Sequence, residues 1–183
     1  PGTGGQMRSL HQYDDKLFCC SDNGIFIMDG DHMEHLNNPK GVWGIVSVDD
    51  RKDVLIAGTY SGLYLLMKRG TSWRVESYIE GFARSRKDML MEDSTHILWV
   101  GNKENGVCRL TLADDLRKVE KMKDYNSIIF PRGYDACLLR VKDEVTIASH
   151  YGLWQYNRSR DTLEACIWLE QLLEGKAAYT YLK

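Results

Sequence analysis

Apolar and polar residues alternate in blocks along this chain, and the blocks recur. Leu17-Phe18-Cys19-Cys20-Ser21 precedes Gly24, Leu55-Ile56-Ala57-Gly58-Thr59 precedes Gly62, Leu98-Trp99-Val100-Gly101-Asn102 precedes Gly106, and Val145-Thr146-Ile147-Ala148-Ser149 precedes Gly152. Each block is an apolar run closed by a small residue and a small polar one, then a polar turn and a glycine. After the glycine an apolar run restarts, as in Ile25-Phe26-Ile27-Met28 and Leu63-Tyr64-Leu65-Leu66. The glycines lie 38, 44 and 46 residues apart, too far for short solenoid repeats and suited to one four-stranded propeller blade per copy.

The second copy predicts its strands most cleanly. Gly44 to Val48 reads as a strand, Asp49 to Asp53 as a polar turn, Val54 to Thr59 as a second strand, Leu63 to Lys68 as a third and Trp73 to Ile79 as a fourth. The second strands are continuous apolar runs, the pattern of a strand covered on both faces, as a blade between two neighbours is. Trp43, Trp73, Trp99, Trp154 and Trp168 are then read mainly as packing between blades. Acidic residues recur in the first turn of each copy, at Asp14-Asp15, Asp49-Asp50, Glu92-Asp93 and Asp143-Glu144, which suits turn formation better than a catalytic pair.

The pattern therefore predicts an all-β chain, a β-propeller arc of about four four-stranded antiparallel blades with under about a tenth of its residues helical. The blades span about 6–37, 42–80, 86–125 and 134–170, after a flexible leader over 1–5. Residues 125–134 form the longest irregular connection, Leu163 to Leu173 reads as an outer strand and loop, and 176–183 begins a further blade. Such an arc does not close a ring alone, and its open blade faces are expected to meet further blades of a parent chain or another copy.

Charge and chemistry narrow the function. A net charge of −2 supplies no basic field for nucleic acid, and no apolar run reaches the ~20 residues that cross a bilayer. Cys19, Cys20, Cys108, Cys137 and Cys166 lack metal-ligand spacing and read mostly as small buried residues. The histidines, His11, His32, His35, His96 and His150, are scattered, and no phosphate loop, nucleophile elbow or zinc-protease pattern is present, so no cofactor, metal or catalytic residue is expected. What remains is a binding surface. In a propeller the turns joining second to third strands share one face with the connections between blades, and that face collects Tyr60, Arg86, Arg132, His150 and Tyr151. Arginine forks and aromatic rings suit an anionic or sugar-like ligand.

Leu98-Trp99-Val100-Gly101-Asn102 with Asn105-Gly106-Val107-Cys108-Arg109-Leu110 resembles the two-component regulator propeller repeat, and Leu55-Ile56-Ala57-Gly58-Thr59 with Gly62-Leu63-Tyr64 is similar. The first and fourth copies depart from it, with Cys20 and Ala148 in place of the glycine that closes the run. The resemblance implies a periplasmic sensory segment of a membrane histidine kinase, of the hybrid type found in gut Bacteroides, that detects polysaccharide-derived oligosaccharides and contributes to signal transduction. Catalysis would then reside elsewhere in the parent, since no kinase motif is present. The alternatives are a propeller lyase of the streptogramin-lyase type, which would lean on His150, and a protein-binding scaffold.

Overall fold

The computed structural model describes residues 5–85, 88–92, 96–102, 106–125 and 136–173. They form four antiparallel sheets of four strands each, hydrogen-bonded in chain order. Blade 1 comprises β1 (Met7–Tyr13), β2 (Lys16–Ser21), β3 (Gly24–Asp29) and β4 (His32–Leu36); blade 2 comprises β5 (Val42–Val48), β6 (Arg51–Thr59), β7 (Leu63–Arg69) and β8 (Ser72–Ile79). Blade 3 comprises β9 (Asp88–Glu92), β10 (Ile97–Asn102), β11 (Gly106–Leu112) and β12 (Val119–Asp124); blade 4 comprises β13 (Cys137–Val141), β14 (Glu144–Ser149), β15 (Gly152–Asn157) and β16 (Thr162–Ala165). One short helix follows, α1 (Ile167–Leu172). Residues 1–4 of the expected leader, 126–134 of the expected connection and the expected strand over 176–183 lie outside the described residues.

The continuous apolar runs split between two seams. Within β6, Leu55 and Ala57 pack toward blade 1 against Phe18, Cys20, Ile25 and Ile27. Their neighbours Val54 and Ile56 turn the other way, to Met91, Leu98, Val100 and Leu110 of blade 3. Alternation along a strand makes this unavoidable, so every position must be apolar when both faces are covered. A third seam sets Trp99 and Val107 against Leu138, Val145, Ile147 and Tyr156. Trp73 anchors the first seam with edge-on contacts to Tyr13 and Phe18 at 6.0 and 5.6 Å. Small residues belong where innermost strands approach: a Cβ on Gly101 would stand 3.3 Å from the Ala136 carbonyl oxygen, and one on Gly44 would stand 3.2 Å from His11 Nε2. Burial lowers the His11 pKa, so the ring sits neutral in the seam beside Ser9 Oγ at 2.9 Å.

The recurrent small polar residue has a defined task. Ser21, Thr59 and Ser149 are buried, and each hydroxyl accepts a backbone N–H from two residues ahead, at 3.1, 3.1 and 3.2 Å, while donating to the carbonyl of the glycine three ahead. The hydroxyl thus ties off a turn whose own backbone is short of partners. The glycine that follows takes φ of 123°, 153° and 123° at Gly24, Gly62 and Gly152, and a Cβ on Gly24 would stand 2.1 Å from the Leu36 carbonyl oxygen. Positive φ and contact with the fourth strand or the segment after it both demand glycine there.

Three expectations need correction. The turn after β5 is shorter than Asp49 to Asp53, because Arg51 already belongs to β6 and a register shift lies between Ser47 and Val48. Glu92 is no turn residue: it ends β9 with its side chain buried. The segment Leu163 to Leu173 is strand only to Ala165 and then helical, because Leu169 and Leu173 cover Cys137, Leu139 and Leu153 on the outer face of blade 4. By contrast Asp14, Asp15, Lys142 and Asp143 do sit in tight hairpin turns, all with positive φ.

Candidate functional site

The first inter-blade connection crosses the tips of two hairpins. Gly41 N donates to the Asp22 carbonyl at 2.9 Å and Tyr60 N donates to the Gly41 carbonyl at 3.1 Å, so the β2–β3 turn, the β6–β7 turn and the connection between them form one surface. Tyr60 stands on that surface, 45% exposed yet fixed. Its hydroxyl donates to Asp22 Oδ1 at 3.2 Å and accepts from Arg8 Nη2. Its ring meets Trp43 edge-on at 5.2 Å and lies so close over Gly41 that a Cβ there would stand 2.1 Å from Cδ2. Gly41 has φ of 63°, which also favours glycine.

Arg8 completes the cluster. Its Nε donates to Asp22 Oδ1 at 3.0 Å, and its guanidinium carbon lies 4.5 Å from the Trp43 ring centre and 5.6 Å from that of Tyr60. Partial desolvation works to raise the Asp22 carboxyl, but hydrogen bonds from Arg8, the Gln6 amide and Tyr60 outweigh it and hold the pKa below the ordinary carboxylate value. The carboxylate and guanidinium are therefore both charged and mutually compensated.

Of the five residues the sequence nominated, Tyr60, His150 and Tyr151 are described, and Tyr60 sits among the polar and aromatic partners Asp22, Arg8 and Trp43. His150 and Tyr151 occupy the equivalent β14–β15 turn, with their rings edge to face at 5.2 Å and Tyr151 projecting into solvent. Arg86 and Arg132 lie outside the described residues. Arg84, from the same inter-blade stretch as Arg86, makes a two-pronged contact to Asp124 at 2.7 and 3.3 Å and so braces blade 3. Sequence reasoning missed Arg8 and assigned Trp43 to packing. Arg8 lies in β1 and Trp43 in β5, and only the docking of blade 1 on blade 2 brings them to the Tyr60 turn.

A second polar cluster lies in the seam between blades 3 and 4. Glu92 Oε2 accepts Trp99 Nε1–H at 2.7 Å and Arg109 Nε–H at 3.1 Å, while Arg158 Nη2 approaches Oε1 at 2.7 Å as an ion pair without hydrogen-bond alignment. Asp161 accepts from Lys123 Nζ at 2.6 Å, Tyr125 at 2.7 Å and Tyr156 at 2.9 Å, and these donors, Lys123 first, hold its pKa down to about 2. Glu92 is bonded to donors of its own blade and paired with Arg158 of blade 4, and Asp161 takes donors from both blades, so both carboxylates brace the seam. The buried indole of Trp99 was the available signal for Glu92, since a buried indole N–H calls for an acceptor.

No disulfide forms among the described residues, and burial raises the thiols of Cys19 and Cys166 and pushes Cys20 up to about 12. Among the described residues no group of three or more histidines, cysteines and carboxylates is placed to hold a metal ion, and no helix is long and apolar enough to cross a membrane.

No protein-family model and no curated protein sequence matches the chain. Solved structures do. The extracellular domain of a protein from B. thetaiotaomicron assigned as a hybrid two component system superposes with a TM-score of 0.67 at 20% identity, over 90% of this chain and 22% of that one. An auxiliary nutrient binding protein from Bacteroides thetaiotaomicron gives 0.63 at 12% identity over 90% and 41%, and an ancestral GH74 enzyme gives 0.61 at 14% identity over 85% and 23%. The chain thus spans 22% of the first of these structures. At such identities the likeness establishes the architecture, a β-propeller of four-stranded antiparallel blades.

Proposed function

We propose that this chain is a non-catalytic sensory segment of a periplasmic propeller, part of a two-component sensor histidine kinase, and that its turn face binds a saccharide-derived ligand. The observation that carries the reading is the exposed but immobilised Tyr60, flanked by Arg8 and Asp22 on the face where propeller turns converge. An apolar ring face beside convergent donors and acceptors is the chemistry that sugars need. The structural neighbours among extracellular and nutrient-binding propellers support this reading over a scaffold.

A propeller lyase is weaker on the same grounds. It needs a histidine and carboxylates converging on one reacting atom, whereas His150 packs on Tyr151, the buried Glu92 is bound to tryptophan and arginine, and the exposed Asp161 is bound to lysine and tyrosine.

Calorimetric titration against a panel of oligosaccharides tests the proposal. Binding of at least one is expected, together with weakening in an Arg86→Ala, Arg132→Ala double variant by about 1.5–3 kcal/mol for each arginine that makes a desolvated contact. Arginines on a solvated rim would change almost nothing. If no sugar binds, the sensory reading fails for this segment.

A further inference from the structure

We infer that the seam between blades 1 and 2 carries a stacking subsite for an uncharged sugar ring, with Tyr60 as its platform and Asp22 and Arg8 as its polar rim. This rests on the saccharide-binding reading above and gives it a place and a ligand charge.

The turn itself does not need the ring. Thr59 Oγ1 makes it, accepting from Ser61 N and Gly62 N at 3.1 Å, and the equivalent position of the β2–β3 turn is occupied by Asp22 without an aromatic. Yet Tyr60 is held by two hydrogen bonds at its hydroxyl, an edge contact to Trp43 and the backbone of Gly41, with 45% of its surface left to solvent. A rotamer ordered before the ligand arrives lowers the entropic cost of binding. An exposed aromatic that is fixed without serving the core is the expected form of a stacking platform.

The charge of the ligand follows from the rim. Arg8 and Asp22 lie 3.0 Å apart and compensate each other, so an anionic group approaching Arg8 would also meet the Asp22 carboxylate. Hydroxyl groups face no such conflict. Among the described residues Asp22 Oδ2 receives a single long bond, from Gln6 N at 3.3 Å, and Arg8 Nη1 has no hydrogen-bond partner. One acceptor and one donor thus remain beside the ring, the complement of adjacent sugar hydroxyls. Lys40 Nζ donates to the Asn23 carbonyl at 3.1 Å on the neighbouring turn.

The test titrates the whole chain with malto-, cello-, xylo- and mannohexaose and with an oligogalacturonate as the acidic probe. At least one neutral hexaose is expected to bind, Tyr60→Ala to weaken it about tenfold or more, the scale of 1.4 kcal/mol, and Tyr60→Phe to bind more tightly than Tyr60→Ala because it keeps the ring. Asp22→Asn, which leaves the ring in place, is expected to weaken the same sugar severalfold, and it keeps the test open should Tyr60→Ala fail to fold. Neutral binding that is unchanged in Tyr60→Ala, or in Asp22→Asn where only that variant folds, overturns the subsite while the sensory reading stands. Binding of the oligogalacturonate alone overturns the uncharged-sugar inference in the same way. No binding of any probe to the wild-type chain overturns both.

Discussion

The hydroxyl of Thr59 explains why the closing position of each block is small and polar. It is fully buried and serves three backbone partners, accepting from Ser61 N and Gly62 N and donating to Gly62 O at 3.0 Å. Thr59→Val keeps shape and volume but strands those buried groups, and a buried donor without an acceptor costs about 1–3 kcal/mol. The expected outcome is a loss of that size in urea denaturation at unchanged m-value; a change below about 0.5 kcal/mol would show that water replaces the hydroxyl. The position was visible in the sequence as a recurring Ser, Thr or Asn, but its three bonds were not, since they depend on the turn closing around it. Glu92 is the opposite case. Read as one more acidic turn residue, it is a buried acceptor for Trp99 and Arg109, because β9 runs one residue further than its counterparts suggest.

At the scale of elements, hairpin register was legible and the outer edge of the fourth blade was not. Period-two packing on both faces, a small closing residue and a glycine define the second and third strands of every blade, and these are the strands the chain forms. Residues 163–173 satisfy a strand pattern and a helical one alike, and a long-range bond decides between them. Glu170 Oε1 accepts from Leu153 N at 3.0 Å, next to Gly152, where a Cβ would stand 2.5 Å from the same oxygen. Once that carboxylate caps the start of β15, Leu169 and Leu173 fall onto the blade face as a helical pair. Glu170→Ala is therefore expected to cost about 1–3 kcal/mol and to speed exchange of the Leu153 amide, with Glu170→Gln retaining most of the protection. Equal exchange in all three proteins would mean that the helix docks through its leucines alone.

Across the whole molecule the three seams join blades 1 to 2, 2 to 3 and 3 to 4, while the outer face of blade 4 is covered by α1. Blade 1 has no such cover among the described residues. Because Phe18 and Cys20 face blade 2, alternation sends Leu17 and Cys19 to the other side, together with Leu10, Phe26, Met28 and Met33. That face repeats, strand by strand, the one that blade 2 buries with Ile45, Leu55, Ala57, Tyr64 and Leu66. His35 lies flat on Phe26 at 4.1 Å and shields it, but Leu10 and Met33 remain 60% and 52% exposed. A seam-type surface left open to water should bind whatever apolar sheet face it meets, and in a solution of the isolated chain that is a second copy. Self-association that grows with concentration is therefore expected in sedimentation velocity, and a Leu10→Lys, Met33→Lys double variant is expected to shift the chain toward monomer with little change in its denaturation midpoint. A wild-type chain that stays monomeric from micromolar to near-millimolar concentration would show that Met28, Met33 and the stacked His35 suffice to close the face without a partner.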